Sequence, residues 1–361
     1  MEKGKVFLVS NMYPNKDYPY YGIFVENFSK MISNSDSYKV SGKAVIRGKS
    51  SGVFEKIINY IFFFSQIIIK GLFTSYDIIY VHYFKYSIYP TFFLKVLFRG
   101  KKLVYNFHGS DLIKDNADSF ELSSFKIRIL RKSDAIVVPS LYYKELIISK
   151  IPEIKEKLFV SPSGGVNKEV FHPISEFKFN ECITLGYIGR LDVRKGVELF
   201  ISSLSDLKQK KYDFNAFIVG NGTLRDEYLH MVDELNLKDE VVFIDSQPQK
   251  RLCEFYNMFD LLIFPTYRKS ESLGLVGLEA LSCGTPVLGT EIGEIKNYLE
   301  EGVNGFLFKE RDINELTSKI IHYKRLSIEE KRKMRREAEL SSADYETKKV
   351  QEKILIFLDS L

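Results

Sequence analysis

Residues 271–290, ESLGLVGLEALSCGTPVLGT, follow the apolar run LLIFPT and set two carboxylates, Glu271 and Glu279, eight positions apart. With a helix opening near Gly274, Glu271 lies in the loop before the first turn and Glu279 on the helix itself. A helix N-terminus presents free N–H groups and the positive end of a dipole, which suits phosphate. A glycine there permits close backbone approach. The amides of Gly274, Leu275 and Val276 are therefore candidates to hold a phosphate. Carboxylates repel phosphate, so the two glutamates suit sugar hydroxyls. The same stretch also reads as a plain strand–turn–helix with two surface glutamates.

A second pattern, GRLDVRKG at 189–196, brackets Arg190 and Lys195 between glycines after the apolar run ITLGYI. Two cations at the C-terminal end of a strand, beside a helix start, suit a pyrophosphate. The bland alternative is a basic loop with an Arg190–Asp192 surface pair. VGNGTLRDEY at 219–228 ends another strand with Gly220, Asn221 and Gly222, short of the full dinucleotide fingerprint. FHGSDL at 107–112 offers His108 and Asp111. A histidine without a partner motif is as often structural as catalytic. PYYGIFVENF at 19–28 places Gly22 at a helix start, another turn that tolerates an anion. There is no Walker P-loop, no H-E-x-x-H and no G-x-S-x-G. No D-x-D pair is present, so no metal cofactor is expected. Cations and helix amides take over that work.

These loops need strands and helices to carry them. Short apolar runs (KVFLVS, YKVSGKAVI, DIIYVHY, KLVYNFH, DAIVVPS, KLFVSPS) alternate with helical stretches such as 23–33 and 140–150. A second series (ITLGYIG, FNAFIVG, EVVFIDS, LLIFPT, TPVLGT, GFLFK) alternates with 194–209, 223–236 and 248–258. Apolar strands separated by helices mark parallel sheets covered on both faces. Two such series predict two doubly wound α/β domains, 1–170 and 171–342, joined by the aperiodic 162–182 stretch. A final amphipathic helix at about 343–361 carries Val350, Ile354, Phe357 and Leu358 on one side. The charge run EEKRKMRR at 329–336 reads as a solvated helix face.

The 361 residues are 45% hydrophobic and 27% charged, which excludes wholesale disorder and a coiled coil. Lys and Arg exceed Asp and Glu by 52 to 47. The first 170 residues hold 25 basic and 15 acidic side chains, and the remainder 27 and 32. Residues 39–102 hold 11 basic side chains against only Glu55 and Asp77. That asymmetry points to an anionic membrane surface or a polyanion for the first half, or to nothing beyond a lysine-rich surface. Residues 57–73, IINYIFFFSQIIIKGLF, are interrupted by Asn59, Ser65, Gln66 and Lys70. They read as a buried helix, with docking at a membrane interface as the alternative and a span after that. Three cysteines without C-x-x-C spacing argue against disulfides and zinc and for a reducing, cytoplasmic setting.

Taken in order, these motifs resemble the retaining family-4 glycosyltransferases. HGSD corresponds to the family's HGxD, SPSGGVNKEVFHP to its linker ending in F-x-P, and GRLDVRKG to G-R-L-x-x-x-K-G. E-x7-E with EALSCGTPVL corresponds to the donor-site signature, and GVNGFLF to nGfLv. The resemblance spans nearly the whole chain and is strongest over 180–310. It implies a GT-B fold, two Rossmann-like domains facing across a cleft. It implies that Arg190 and Lys195 neutralise the diphosphate of a nucleotide-sugar, joined by the amides of Gly274 to Val276. Glu271 would hold the donor sugar, Glu279 the ribose, and His108 would face the donor sugar. Gly22, Gly220 and Asn221 complete the donor-binding set. The chain departs from the pattern at Asn167, Asp245, Lys296 and Asn297, which bears on base and sugar preference.

The expectation is a metal-independent transferase that moves a sugar from a UDP-sugar to a lipid-linked saccharide in cell-envelope polysaccharide synthesis. It would sit peripherally on the inner face of the membrane and bind no nucleic acid. The rivals are an epimerase, a phosphorylase, and an inactive homologue that binds saccharide or a partner protein.

Overall fold

The computed structural model describes residues 3–19, 21–114, 119–120 and 122–361. The chain divides into two compact units, Met1–Gly164 with Val350–Leu361, and Gly165–Lys349. The sequence reading placed the joins at 170/171 and near 343.

The first unit runs β1 (Gly4–Tyr13), α1 (Ile23–Asn34), β2 (Tyr38–Arg47), α2 (Val53–Phe73), β3 (Ile78–His82), α3 (Phe84–Leu97) and β4 (Lys102–Asn106). A short antiparallel pair follows, β5 (Ile113–Lys114) with β6 (Ser119–Phe120), two residues each. Then come α4 (Ser124–Lys132), β7 (Ala135–Val138), α5 (Leu141–Lys150) and β8 (Leu158–Val160). Six strands pair in the order β2-β1-β3-β4-β7-β8, all parallel. β3 and β7 are buried along their whole length. Strands covered on both faces read as unbroken apolar runs, which is why they stood out in the sequence.

The second unit runs β9 (Ile183–Ile188), α6 (Val197–Gln209), β10 (Phe214–Val219), α7 (Arg225–Glu234), β11 (Val241–Ile244), α8 (Gln249–Met258) and β12 (Leu261–Phe264). It continues with α9 (Leu275–Ser282), β13 (Val287–Thr290), α10 (Ile295–Tyr298), β14 (Gly305–Phe308), α11 (Ile313–Arg325) and α12 (Ile328–Ser341). Its sheet is also parallel, in the order β11-β10-β9-β12-β13-β14. Each unit is thus a doubly wound Rossmann-like layer sandwich, as the sequence predicts. The charge run falls on α12, opened by a Ser327–Glu330 capping box.

The last helix, α13 (Thr347–Asp359), buries Ile354 and Leu358 beside Val6 and Leu8 in the core of the first unit. Phe357 stacks on Phe159 with ring centroids 4.1 Å apart.

One expectation is corrected. The 57–73 run is not a buried helix. It lies within α2, where only Phe63, Ile67 and Gly71 are buried. Phe54, Ile57, Ile61, Phe62, Ile69 and Phe73 are exposed. Apolar residues cover most of the helix around the stripe of Asn59, Gln66 and Lys70, far more than the buried face needs, so the pattern did not show which side faces inward. Its narrow inner face packs against β2 and α3, closely enough that a Cβ on Gly71 would meet Leu94 at 2.2 Å. Among the described residues, α2 is the one helix long and apolar enough to cross a membrane by length and composition.

Candidate functional site

In the second unit the loops after β9, β10 and β12 leave the same edge of three neighbouring parallel strands. From β9 the chain winds outward through β10 and β11, then returns to begin again at β12 beside β9. The strand order reverses there, which is where doubly wound sheets bind ligands.

The β12 loop ends at Gly274, whose φ of +74° suits glycine. A Cβ there would meet the Tyr298 hydroxyl at 2.8 Å. Gly274 caps α9 without any side-chain hydrogen bond, so the cap residue itself leaves the first-turn amides of Leu275 and Val276 uncovered. α6 and α1 begin the same way, on Gly196 and Gly22 in the left-handed region. Gly220 closes the β10 loop so tightly on the β9 loop that a Cβ would lie 1.8 Å from the carbonyl oxygen of Gly189.

Lys195 Nζ donates to Glu271 Oε2 at 2.6 Å, with both side chains largely buried. The pair ties the β9 loop to the β12 loop, a contact 76 residues apart that spacing did not foresee. Tyr267 N–H and the Thr266 hydroxyl reinforce it by donating to the Arg194 carbonyl at 3.1 and 3.3 Å. Arg190 is 72% exposed and pairs with Asp192. Asp192 also accepts from the Thr223 N–H at 3.0 Å and its hydroxyl at 3.2 Å. The Arg190–Asp192 surface pair weighed from sequence is therefore present, and it orders the loop that carries the arginine. Asn221 Oδ1 accepts from the Gly222 N–H at 2.9 Å. Glu279 accepts from the Tyr256 hydroxyl at 2.8 Å, and burial pushes its carboxyl up to about 7. Tyr256, buried on α8, went unremarked in the sequence because it looked like one more core aromatic.

In the first unit His108 follows β4. Its Nε2 lies 3.1 Å from Nδ1 of His82, and the two rings stack. His82 ends β3 and is 2% exposed. Burial holds both imidazoles neutral, driving His108 down to about 3 and His82 well below its ordinary value. Two neutral rings in contact share one proton. His82 therefore fixes which nitrogen of His108 is committed inward and leaves Nδ1 for other work. Phe24 and Phe28 of α1 flank the pair, with centroids 4.5 Å from His108 and 4.8 Å from His82. Asp111 accepts from the His108 N–H at 3.0 Å and the Phe84 N–H at 3.4 Å, so it pins the loop. Burial pushes its carboxyl up to about 6.

His82 was missed because DIIYVHY reads as a buried strand. The available signal was a histidine at a strand's C-terminal end, level with Asn106 of the next strand. Among the described residues, no three His, Cys, Asp or Glu side chains gather as a metal site.

Residues 171–341 match the family described as Glycosyl transferases group 1. A D-inositol 3-phosphate glycosyltransferase of Stackebrandtia nassauensis is 26% identical over 215 residues, covering 55% of this chain and 48% of its own length. The chain thus spans about half the length of that curated relative. An uncharacterized 41.2 kDa protein in the cps region of Klebsiella pneumoniae is 27% identical over 276 residues, 71% of this chain and 73% of that one. Among solved structures, Anabaena HepE in complex with UDP superposes with a TM-score of 0.76 at 18% identity, over 99% of this chain and 100% of that one. This likeness shows the fold, two Rossmann-like domains of the GT-B kind.

Proposed function

Because residues 171–341 belong to the glycosyl transferases group 1 family, we propose that the chain is a glycosyltransferase. It moves a sugar from a nucleotide-sugar to a saccharide acceptor. The observation that carries this reading is the Lys195–Glu271 pair, set 2.6 Å apart beside the open N-terminus of α9 at the sheet's switch point. In the reaction the bond from the anomeric carbon to the diphosphate breaks and its electrons leave with the diphosphate. A bond to the acceptor hydroxyl's oxygen forms, and the hydroxyl proton passes to the departing diphosphate. In this reading Lys195 and Arg190 stabilise that growing charge together with the amides of Gly274, Leu275 and Val276. Glu271 holds Lys195 in place and offers its second oxygen to sugar hydroxyls. Glu279 takes the ribose, and Gly220 and Asn221 shape the loop beside it. His108 serves the donor sugar with the nitrogen that His82 leaves open, and Gly22 lets α1 support that histidine.

The donor is a UDP-sugar, a reading supported by the UDP bound to Anabaena HepE. The transfer retains configuration, needs no metal, and builds an envelope polysaccharide on a lipid-linked acceptor. The Klebsiella relative from a cps region is in keeping with that setting. The protein works in the cytoplasm, peripherally on the inner membrane face. The exposed apolar side of α2 supports this. The test is release of nucleoside diphosphate from a panel of UDP-, GDP-, ADP- and dTDP-sugars. Release from a UDP-sugar, lost in Lys195→Ala, is expected. No release from any donor, with or without membrane extract as acceptor, overturns the reading.

A further inference from the structure

A cavity of about 360 Å³ opens between β2 and α2, lined by Lys43, Arg47 and Lys70 with Asn59, Gln66 and Phe62. β2 is the edge strand of its sheet. Lys70 Nζ donates to the Lys43 carbonyl at 2.7 Å. The Lys43 ammonium lies 3.4 Å from the Tyr13 hydroxyl, and the Arg47 guanidinium lies 5.0 Å from the same ring. Among the described residues, none of these three cations has a carboxylate in ion-pair reach. Crowding like charges in a concavity is unfavourable unless an anion joins them. The Asn59 amide donates to the Ser50 hydroxyl at 3.1 Å, and Gln66 Oε1 accepts from Lys70 at 3.4 Å, which leaves the Gln66 N–H groups as neutral donors. A lone charge protecting a strand edge needs no cavity and no convergence.

The outer face of α2 borders this cavity. Phe62 belongs to both, and Phe54, Ile57, Ile61, Ile69 and Phe73 extend the apolar surface. α3 continues it: Tyr60 of α2 meets Tyr86 with centroids 5.2 Å apart, and Tyr86, Tyr89 and Phe93 are exposed. Exposed apolar faces of this extent mark an interaction site. Cations beside an apolar, tyrosine-edged helix match an amphiphile with an anionic head.

We infer that the Lys43–Arg47–Lys70 cavity binds the phosphate head of a membrane lipid, a phosphomonoester or diphosphate, while the outer face of α2 enters the apolar layer. The inference rests on the proposed lipid-linked acceptor and gives that acceptor's phosphate a place. An arginine and two lysines satisfy a doubly charged head with free oxygens better than a singly charged phosphodiester.

The test uses the full chain and three kinds of vesicle: neutral phosphatidylcholine, and phosphatidylcholine carrying phosphatidic acid or phosphatidylglycerol at equal surface potential. Sedimentation at low salt is expected to show about tenfold tighter binding to phosphatidic acid, with weak binding to neutral vesicles. Lys43→Gln, Arg47→Gln and Lys70→Gln combined should erase the preference. Arg99→Gln, Lys102→Gln and Lys150→Gln combined, an equal loss of charge elsewhere, should keep it. Ile57→Asp with Ile61→Asp should weaken binding to both anionic vesicles. Equal binding to the two anionic kinds, or equal effects of the two triple variants, overturns the inference. Calorimetric binding of inorganic diphosphate without vesicle binding assigns the cavity to a soluble phosphate and also overturns it. A dimer that ignores vesicles and falls apart in the Ile57→Asp, Ile61→Asp variant assigns the face to a second copy, with the same consequence. No turnover is read, so transfer to soluble acceptors without vesicle binding removes this site alone, and vesicle binding without nucleotide release removes only the enzymatic reading.

Discussion

Replacing Glu279 with glutamine isolates a carboxyl whose burial raises it from 4.5 to about 7. Between those values the folded chain holds a proton that the unfolded chain has released, so stability falls as pH rises across that window. At roughly 1.4 kcal/mol per unit, the wild type loses up to about 3 kcal/mol between pH 4.5 and 7 from this group. Glu279→Gln keeps an oxygen for the Tyr256 hydroxyl, 2.8 Å away, and never ionises. The two proteins should therefore melt together near pH 4.5, and the variant should be the more stable by up to about 3 kcal/mol at pH 8. Ligand binding reverses the advantage. Ribose hydroxyls donate best to a carboxylate, so the wild type's UDP affinity relative to Glu279→Gln should rise about tenfold from pH 6 to 8. The ratio cancels titration of UDP itself. Thermal melts and calorimetry across pH 4.5–8 check both parts. Parallel stability curves would refute the raised carboxyl, and a flat affinity ratio would refute its place at the ribose.

Lys195→Ala and Arg190→Ala should each fold and lose on the order of 10²–10³ in transfer rate, read by nucleoside diphosphate release. Near-normal turnover in both would remove them from the diphosphate. Transfer should persist in EDTA, and loss restored by manganese or magnesium would contradict that. His82→Asn should lower kcat by about tenfold with little change in the KM for donor, because it frees the His108 proton from its fixed nitrogen. It should also move the 15N-imidazole shifts of His108. Unchanged shifts with lowered stability would leave His82 a purely structural residue.

The central strands were legible because they lie buried between helical layers and so read as apolar runs. The loop glycines were legible because glycine alone fits Gly274 and Gly220. Pairing across loops was not. Lys195 and Glu271, or His82 and His108, meet only once parallel strands bring their C-terminal ends to one edge. α2 misled the reading for a related reason. A helix with so wide an apolar face looks buried until the narrow part of it that β2 and α3 can cover is known.

Under the proposed function the second unit grips a diphosphate through Lys195 at the switch point of its sheet. Calorimetric titration with UDP and with uridine, on the wild type and on Lys195→Ala, tests it most directly. UDP should bind the wild type at least about tenfold more tightly than uridine, with that margin largely lost in the variant and uridine affinity unchanged. Equal affinity for UDP and uridine in the wild type, or a margin that survives Lys195→Ala, would contradict it.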